Sequence, residues 1–248
     1  MNPAQLKKTT AKASPITRKL RRRFDFTQSA MPGLGVPLFK SILRKCLASR
    51  RERREVIAPY ALTWFEVIGY RVLLEPDIAL GKHQIGRSNY TEVVLYERLY
   101  SALQKINPTK PDEAIAAAIH QVTYIPSSDL LENNRRFHKL LTNGVEVEYL
   151  YNEEIVHDFV WLIDTSNLLN NDWLAIHPLT VVEGSYTHCP DVVVFINGLP
   201  LAVIVSIQPS DEQATFKEGY QRIQTYCQQI PKLFDYNTFL VITYWTLD

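Results

Sequence analysis

The stretch PDVVVFINGLPLAVIVSIQPSDEQ, residues 190–213, constrains the fold of this chain more than any other. It reads as two apolar strands joined by a tight turn and followed by the start of a helix. Asn197-Gly198 is the strongest short-range hairpin signal, because a two-residue turn of this kind needs positive φ at both positions. Pro200, right after the turn, fits a strand start or a bulge, since proline brings no N–H to a ladder. The second strand is apolar almost throughout, with Ser206 its polar exception, so it belongs in a core. One acid, Asp191, opens the first strand.

Upstream, the periodicity is helical. YALTWFEVIGY reads as the end of a helix stopped by Gly69, with a strand YRVLL behind it. YTEVVLYERLYSALQKINP sets Leu95, Leu99, Leu103 and Ile106 on one helical stripe, and Pro108 lies just past its end. PDEAIAAAIHQV is a second, alanine-rich helix. SSDLLENNRRFHKLLTNG is a third, with a Ser or Asp N-cap, a stripe of Leu130, Leu131, Phe137 and Leu141, and an Asn-Gly stop. The period then changes to two. VEVEYLY and DFVWLID flank a polar turn, NEEIVH, and WLAIHPLTVVEG reads as a strand pair or one bent strand. Beyond the hairpin, Ser210 and Gln213 form a capping-box pattern. Phe216, Tyr220, Ile223, Cys227 and Ile230 then make an apolar seam, and TFLVITYW closes as a buried strand. Helices, a mostly antiparallel sheet, a helix and a returning strand make an α+β or mixed α/β domain.

Charge divides the chain. Residues 1–55 carry 15 lysines and arginines against three acids, a net +12, while residues 56–248 carry 12 against 23, a net −11. The expected organisation is a basic arm over 1–55, partly disordered, and a folded domain over 56–248. Clustered cations such as Arg21, Arg22 and Arg23 suit phosphate contacts on nucleic acid, and equally a solvated tail. A transit-peptide composition fits the arm as well. Three cysteines without a CxxC pair argue against a disulfide framework, and the six histidines never fall at zinc-ligand spacing. No apolar run approaches the ~18 residues of a membrane span, so a soluble, cytoplasmic protein is expected.

Several blocks in series, YTEVVLYERLYSALQKINP, LLENNRRFHKLLTNGVEVEY, LIDTSNLLNNDW, TVVEG, PDVVVFINGLPLAVI and QTYCQQIPKLFDYNTFLVIT, resemble the N-terminal region of the R (restriction) subunit of type I restriction enzymes. The resemblance runs from about Tyr60 to Thr243. It implies a PD-(D/E)xK restriction-endonuclease-like core, a mixed central sheet flanked by helices, that cuts DNA with Mg²⁺ and works in a complex with other restriction–modification subunits. Mg²⁺ is a hard cation that takes oxygen ligands, and it polarises the scissile phosphate and activates water. By the same resemblance, Asp191 is the family's metal-binding Asp and Tyr226 belongs to a Gln-x-x-x-Tyr motif on the following helix.

The chemistry departs from the family where the scaffold does not. The family's Glu position is Val205 and its Lys position is Ile207, with Pro209, Asp211 and Glu212 keeping the register. The Gln of the helix motif is Arg222, the Arg common before the PD is Cys189, and the acid of the opening helix has no match at Ala58 and Pro59. The implied function is therefore an R-subunit-like DNA endonuclease domain deficient in cleavage, which retains binding to DNA or a partner subunit. Lys217, Arg222, Lys232 and the basic arm are the contacts implied for DNA. Two alternatives stand beside it. One is an active Mg²⁺-dependent nuclease using other acids, such as Glu183, Asp211 or Glu212. The other is a gene remnant without enzymatic role, since the chain stops at TYWTLD, where the family continues into an ATP-driven motor. No G-x-x-x-x-G-K-[ST] loop, and so no ATP site, occurs in the chain.

Overall fold

The computed structural model describes residues 58–74, 87–207 and 216–244, without the side chains of 58–61 and 244. Helix α1 (Ala58–Val67) leads into β1 (Arg71–Leu74), and three helices follow: α2 (Tyr96–Ile106), α3 (Asp112–Thr123) and α4 (Leu130–Asn143). Next come β2 (Val145–Tyr151), β3 (Glu154–Val160), β4 (Trp173–His177), β5 (Val181–Glu183), β6 (Tyr186–His188), β7 (Val192–Ile196) and β8 (Leu199–Ile207). Helix α5 (Phe216–Gln229) and strand β9 (Phe239–Tyr244) complete the order. None of these helices is long and apolar enough to cross a membrane. The basic arm with Arg21, Arg22 and Arg23 lies outside the described residues, as do the Ser210–Gln213 cap, Pro209, Asp211 and Glu212.

The capping signals do what their chemistry predicts. Gly69, at φ +94°, ends α1, and the Tyr70 N–H donates back to the Phe65 carbonyl at 2.8 Å. Asp129 caps α4 by accepting from the Leu131 N–H at 2.9 Å, and Gly144 ends that helix at φ +80°. Leu95, Leu99 and Leu103 of the α2 stripe are fully buried. In α4 the stripe is narrower than the hydropathy suggests: Leu131 is exposed and Asn133 is buried in its stead.

The sheet is mixed rather than mostly antiparallel. Among the described residues the main sheet runs β1-β4-β7-β8-β9, with β1 parallel to β4, β9 parallel to β8, and antiparallel pairs between. Its outer strands, within YRVLL and TFLVITYW, come from the two ends of the domain, so local pattern announces the strands but not their parallel partners. Among the described residues the strand VEVEYLY pairs only with β3, through a turn of just Asn152-Glu153, both at positive φ. The DFVWLID segment leaves the extended state after Val160. WLAIHPLTVVEG is two strands in different sheets, β5 pairing with β6.

Helices α2 to α5 pack on one face of the main sheet and α1 on part of the other, which explains central strands apolar on both sides. Leu174, Ile176, Val193, Phe195, Val203 and Val205 face the larger core, shared with α2, α3, α4 and α5. The alternating residues Ala175, Val192, Val194, Ala202 and Ile204 face Phe65, Tyr70 and Val72. The hairpin turn has Asn197 at φ +53° and Gly198 at φ +80°, and the ladder shifts register between Val194 and Phe195, beside Pro200. Asn197 is completely buried and fully used. Its amide donates to the Leu162 carbonyl and to Asn171 Oδ1, and its Oδ1 accepts from the Asp172 N–H at 2.7 Å.

The polar residues of α4 tie down the segment before β9. Asn134 donates to the carbonyls of Phe234 and Asn237, and Asn133 donates to Asp235 Oδ1 at 3.1 Å. Asp235 is 4% exposed, and burial pushes its carboxyl up to about 6. The folded pKa is above the unfolded one, so the proton is held more tightly in the fold. This contribution to stability is complete below about pH 4 and is lost as pH rises through 6, a change of roughly 2–3 kcal/mol. Asp235→Asn keeps an acceptor for Asn133, and it is expected to abolish that pH slope and raise stability above pH 6. Urea midpoints at several pH values check this; an unchanged slope in the variant would sink it.

Candidate functional site at Asp191

Asp191 sits at the mouth of the hairpin, one residue before β7, and is 2% exposed. Continuing the register Val192↔Ile204 by one step sets it opposite Val205. Its Oδ2 accepts three hydrogen bonds: from the Ser206 N–H at 2.8 Å, the Ser206 hydroxyl at 3.0 Å and Arg222 Nη2 at 3.2 Å. The backbone carbonyl of Asp191 lies 2.5 Å from His177 Nδ1, which fixes the strand entrance from the β4 side.

Helix α5 supplies the other wall. Arg222 and Tyr226 stand one turn apart on the same face. Besides Asp191, Arg222 donates from Nη1 to the Ser206 carbonyl at 2.8 Å and from Nη2 to the Tyr226 hydroxyl at 3.2 Å. Burial works against its charge, but Tyr226 and Asp191 together more than offset this and hold the guanidinium above its ordinary pKa. The Tyr226 ring rests against His188, 4.9 Å between centroids, and His188 Nε2 meets Gln229 Oε1 at 2.5 Å.

The expected seam holds at Ile223, Cys227 and Ile230, in or against the core, but the first turns of the helix reach the sheet one step around the cylinder. Phe216 and Tyr220 are exposed, while Gly219, Ile223 and Tyr226 are buried, with Ile230 following. Gly219 decides this. A Cβ there would lie 2.6 Å from Ile242 Cγ2 and 2.9 Å from Ile207 Cδ1. Ile207 therefore fills the groove over Gly219, and Val205 is wholly enclosed in the main core.

The described residues around Asp191 do not make a donor set that suits a divalent ion. Mg²⁺ takes about six oxygens, generally with one or two carboxylates among them. Here one carboxylate oxygen already serves three donors, one of them cationic, and its neighbours Val205 and Ile207 offer hydrocarbon. Among the described residues no three His, Cys, Asp or Glu side chains come together as a metal-ligand group. Glu183 is turned elsewhere and accepts from the Lys232 N–H at 3.1 Å.

Of the basic residues expected at DNA, Lys217 and Lys232 are exposed on the surface, whereas Arg222 is turned inward onto Asp191. Ser206 had no assigned role, yet it delivers two of the three donors to Asp191. Its signal was its polarity within an otherwise apolar strand. His177 and His188 carried no signal, because their partners are remote in sequence.

Residues 53–244 match the family described as Type I restriction enzyme R protein N terminus. The chain is 31% identical over 188 residues to the type I restriction enzyme HindI endonuclease subunit of Haemophilus influenzae, covering 75% of this chain and 18% of that protein. It is also 32% identical over 160 residues to a protein of Methanocaldococcus jannaschii provisionally named type I restriction enzyme MjaIXP endonuclease subunit, covering 63% and 15%. The chain thus spans less than a fifth of the length of these curated relatives.

Proposed function

The chain belongs to the family of type I restriction enzyme R protein N termini, and from that premise we propose a restriction-endonuclease-like domain that has lost cutting and retains binding. The observation that carries this reading is the burial of Val205 and Ile207, 0% and 5% exposed, at the two positions where the resemblance sets a Glu and a Lys. Neither side chain offers an oxygen to a metal or a charge to a scissile phosphate. Losing one such electrostatic group commonly costs about 10²–10³ in rate, and two are replaced here. Both substitutions suit a strand enclosed on both faces, so the frame persists without the chemistry.

What remains is a scaffold that holds nucleic acid or a neighbouring subunit of a type I complex. Lys217 and Lys232 are exposed and free to meet phosphates by ion pairing, and Arg21, Arg22 and Arg23 would add to that charge. No base preference is built into such contacts, which follow the backbone.

A single experiment tests both parts. The full chain is incubated with supercoiled plasmid, with EDTA, Mg²⁺ or Mn²⁺, and followed by gel mobility and by conversion to the nicked circle. The expected result is retardation that fades as salt rises, with no metal-dependent nicking. Nicking that requires metal and disappears in Asp191→Ala overturns the loss of cutting. Unretarded plasmid at low salt removes the DNA-binding part and leaves a partner subunit as the occupant.

A further inference from the structure

An anion buried as deeply as Asp191 must be compensated, because a carboxylate withdrawn from water without a counter-charge is strongly disfavoured. Among the described residues, three donors reach its Oδ2, and the charged one is Arg222. We infer that Arg222 is a resident cation of this site: its guanidinium supplies positive charge to Asp191 where the resemblance implies a divalent metal ion. This rests on the reading of the domain as one that has lost cutting, and it specifies what fills the site instead.

The geometry is that of a built pair and not of a surface arginine swinging over an acid. The Arg222 fork is held at three points. One is Asp191, another is the Ser206 carbonyl on the strand that also supplies the two neutral donors, and the third is Tyr226 one helical turn away. The guanidinium carbon also lies 5.9 Å from the centre of the Tyr226 ring. The helix thus fixes Arg222 partly independently of the acid it neutralises, while Ser206 ties both partners together. The arginine side chain keeps 29% exposure and Asp191 keeps 3%, so the cation is the partner nearer solvent.

A dication on either oxygen of this carboxylate would stand beside a fixed like charge. Among the described residues it would also find no second carboxylate grouped with Asp191, the neighbouring positions being Val205 and Ile207. Metal and guanidinium therefore compete for one acid. Among the described residues, the apolar pair and the arginine act together: Val205 and Ile207 add no charge beside Asp191, and the guanidinium supplies a positive one.

The test is a double-mutant cycle on the full chain. Wild type, Asp191→Asn, Arg222→Gln and the double variant are melted in EDTA and in about 10 mM MgCl₂. In EDTA, R222Q is expected to melt about 5–10 °C below wild type. In the D191N background the same change is expected to lose less than half of that, because the acid no longer needs a cation. Magnesium is expected to raise the melting temperature of R222Q by about 2 °C or more and leave wild type within about 1 °C. R222K, which keeps the charge, is expected to recover at least half of the loss.

Equal losses in the two backgrounds overturn the inference, and so does a magnesium shift in wild type as large as that in R222Q. R222K melting no higher than R222Q also counts against it. If R222Q fails to fold while the double variant folds, the pair is supported; if both fail, Arg222 acts through something other than Asp191 and the inference falls. Metal-dependent nicking by wild type would instead sink the loss-of-cutting reading, so the two failures are told apart.

Discussion

Gly198→Ala is expected to cost more than about 3 kcal/mol, a large share of the roughly 5–15 kcal/mol that holds a domain of this kind together. Gly198 sits at φ +80°, where an L side chain is strained. The larger effect is steric. A Cβ at this position would lie 2.6 Å from the Leu95 carbonyl oxygen and 2.8 Å from the Leu99 backbone nitrogen. Both atoms are backbone at the start of α2, and neither can rotate away as a side-chain tip would.

The turn cannot retreat either. The Gly198 carbonyl accepts from the Leu95 N–H at 2.9 Å, and neighbouring Asn197 is locked into its buried amide network. The substitution must push α2 off the central hairpin and expose a fully buried leucine stripe. Gly184→Ala is the matched control. It shares positive φ, at +55°, but a Cβ there meets nothing within 4 Å, so a loss of about 1 kcal/mol is expected. Urea unfolding of the two variants checks this; similar midpoints would show that close approach contributes nothing at the turn.

Val205→Glu is expected to have the second large effect, a loss of about 4 kcal/mol or more. Val205 is 0% exposed and belongs to the main core together with Ile223 and Tyr226. A carboxylate introduced there faces Asp191 across the ladder, and the guanidinium of Arg222 would be drawn to two acids. Ile207→Lys alone costs less, because the lysine stem can lie along the groove over Gly219 and carry its ammonium toward solvent. The double variant V205E/I207K is expected to be more stable than the sum of the two losses by about 1–2 kcal/mol, since the new charges are opposite. It should still leave plasmid uncut as long as Arg222 holds Asp191. Denaturant melts and the nicking assay, run side by side, test both statements. Strict additivity would mean that the two introduced side chains do not meet. Cutting with Arg222 intact would mean that metal reaches Asp191 past the guanidinium.

Much of the fold was legible in short segments. The Asn197-Gly198 turn, the caps at Asp129 and Gly144 and the Leu95–Leu99–Leu103 stripe depend on residues within a few positions of one another. Backbone strain and helical periodicity act at that range. Helix α5 shows where this fails. Its Phe216 and Tyr220 continue an apolar spacing, yet the helix docks through Gly219, one step around the cylinder. Glycine adds nothing to a hydropathy pattern, and its value here lies in the space it leaves for Ile207 and Ile242, which come from two different strands. The sheet order was hidden for a similar reason, because β1 and β9 join through long-range parallel pairing.

The site divides along the same line. That Val205 and Ile207 hold the positions of the family's Glu and Lys could be read from the chain, through the resemblance alone. What meets Asp191 instead could not. Arg222 lies 31 positions from Asp191 and had been expected to face DNA. Only the packing of α5 through Gly219 onto β8 brings its guanidinium over the carboxylate, and only the burial of Asp191 makes that charge necessary.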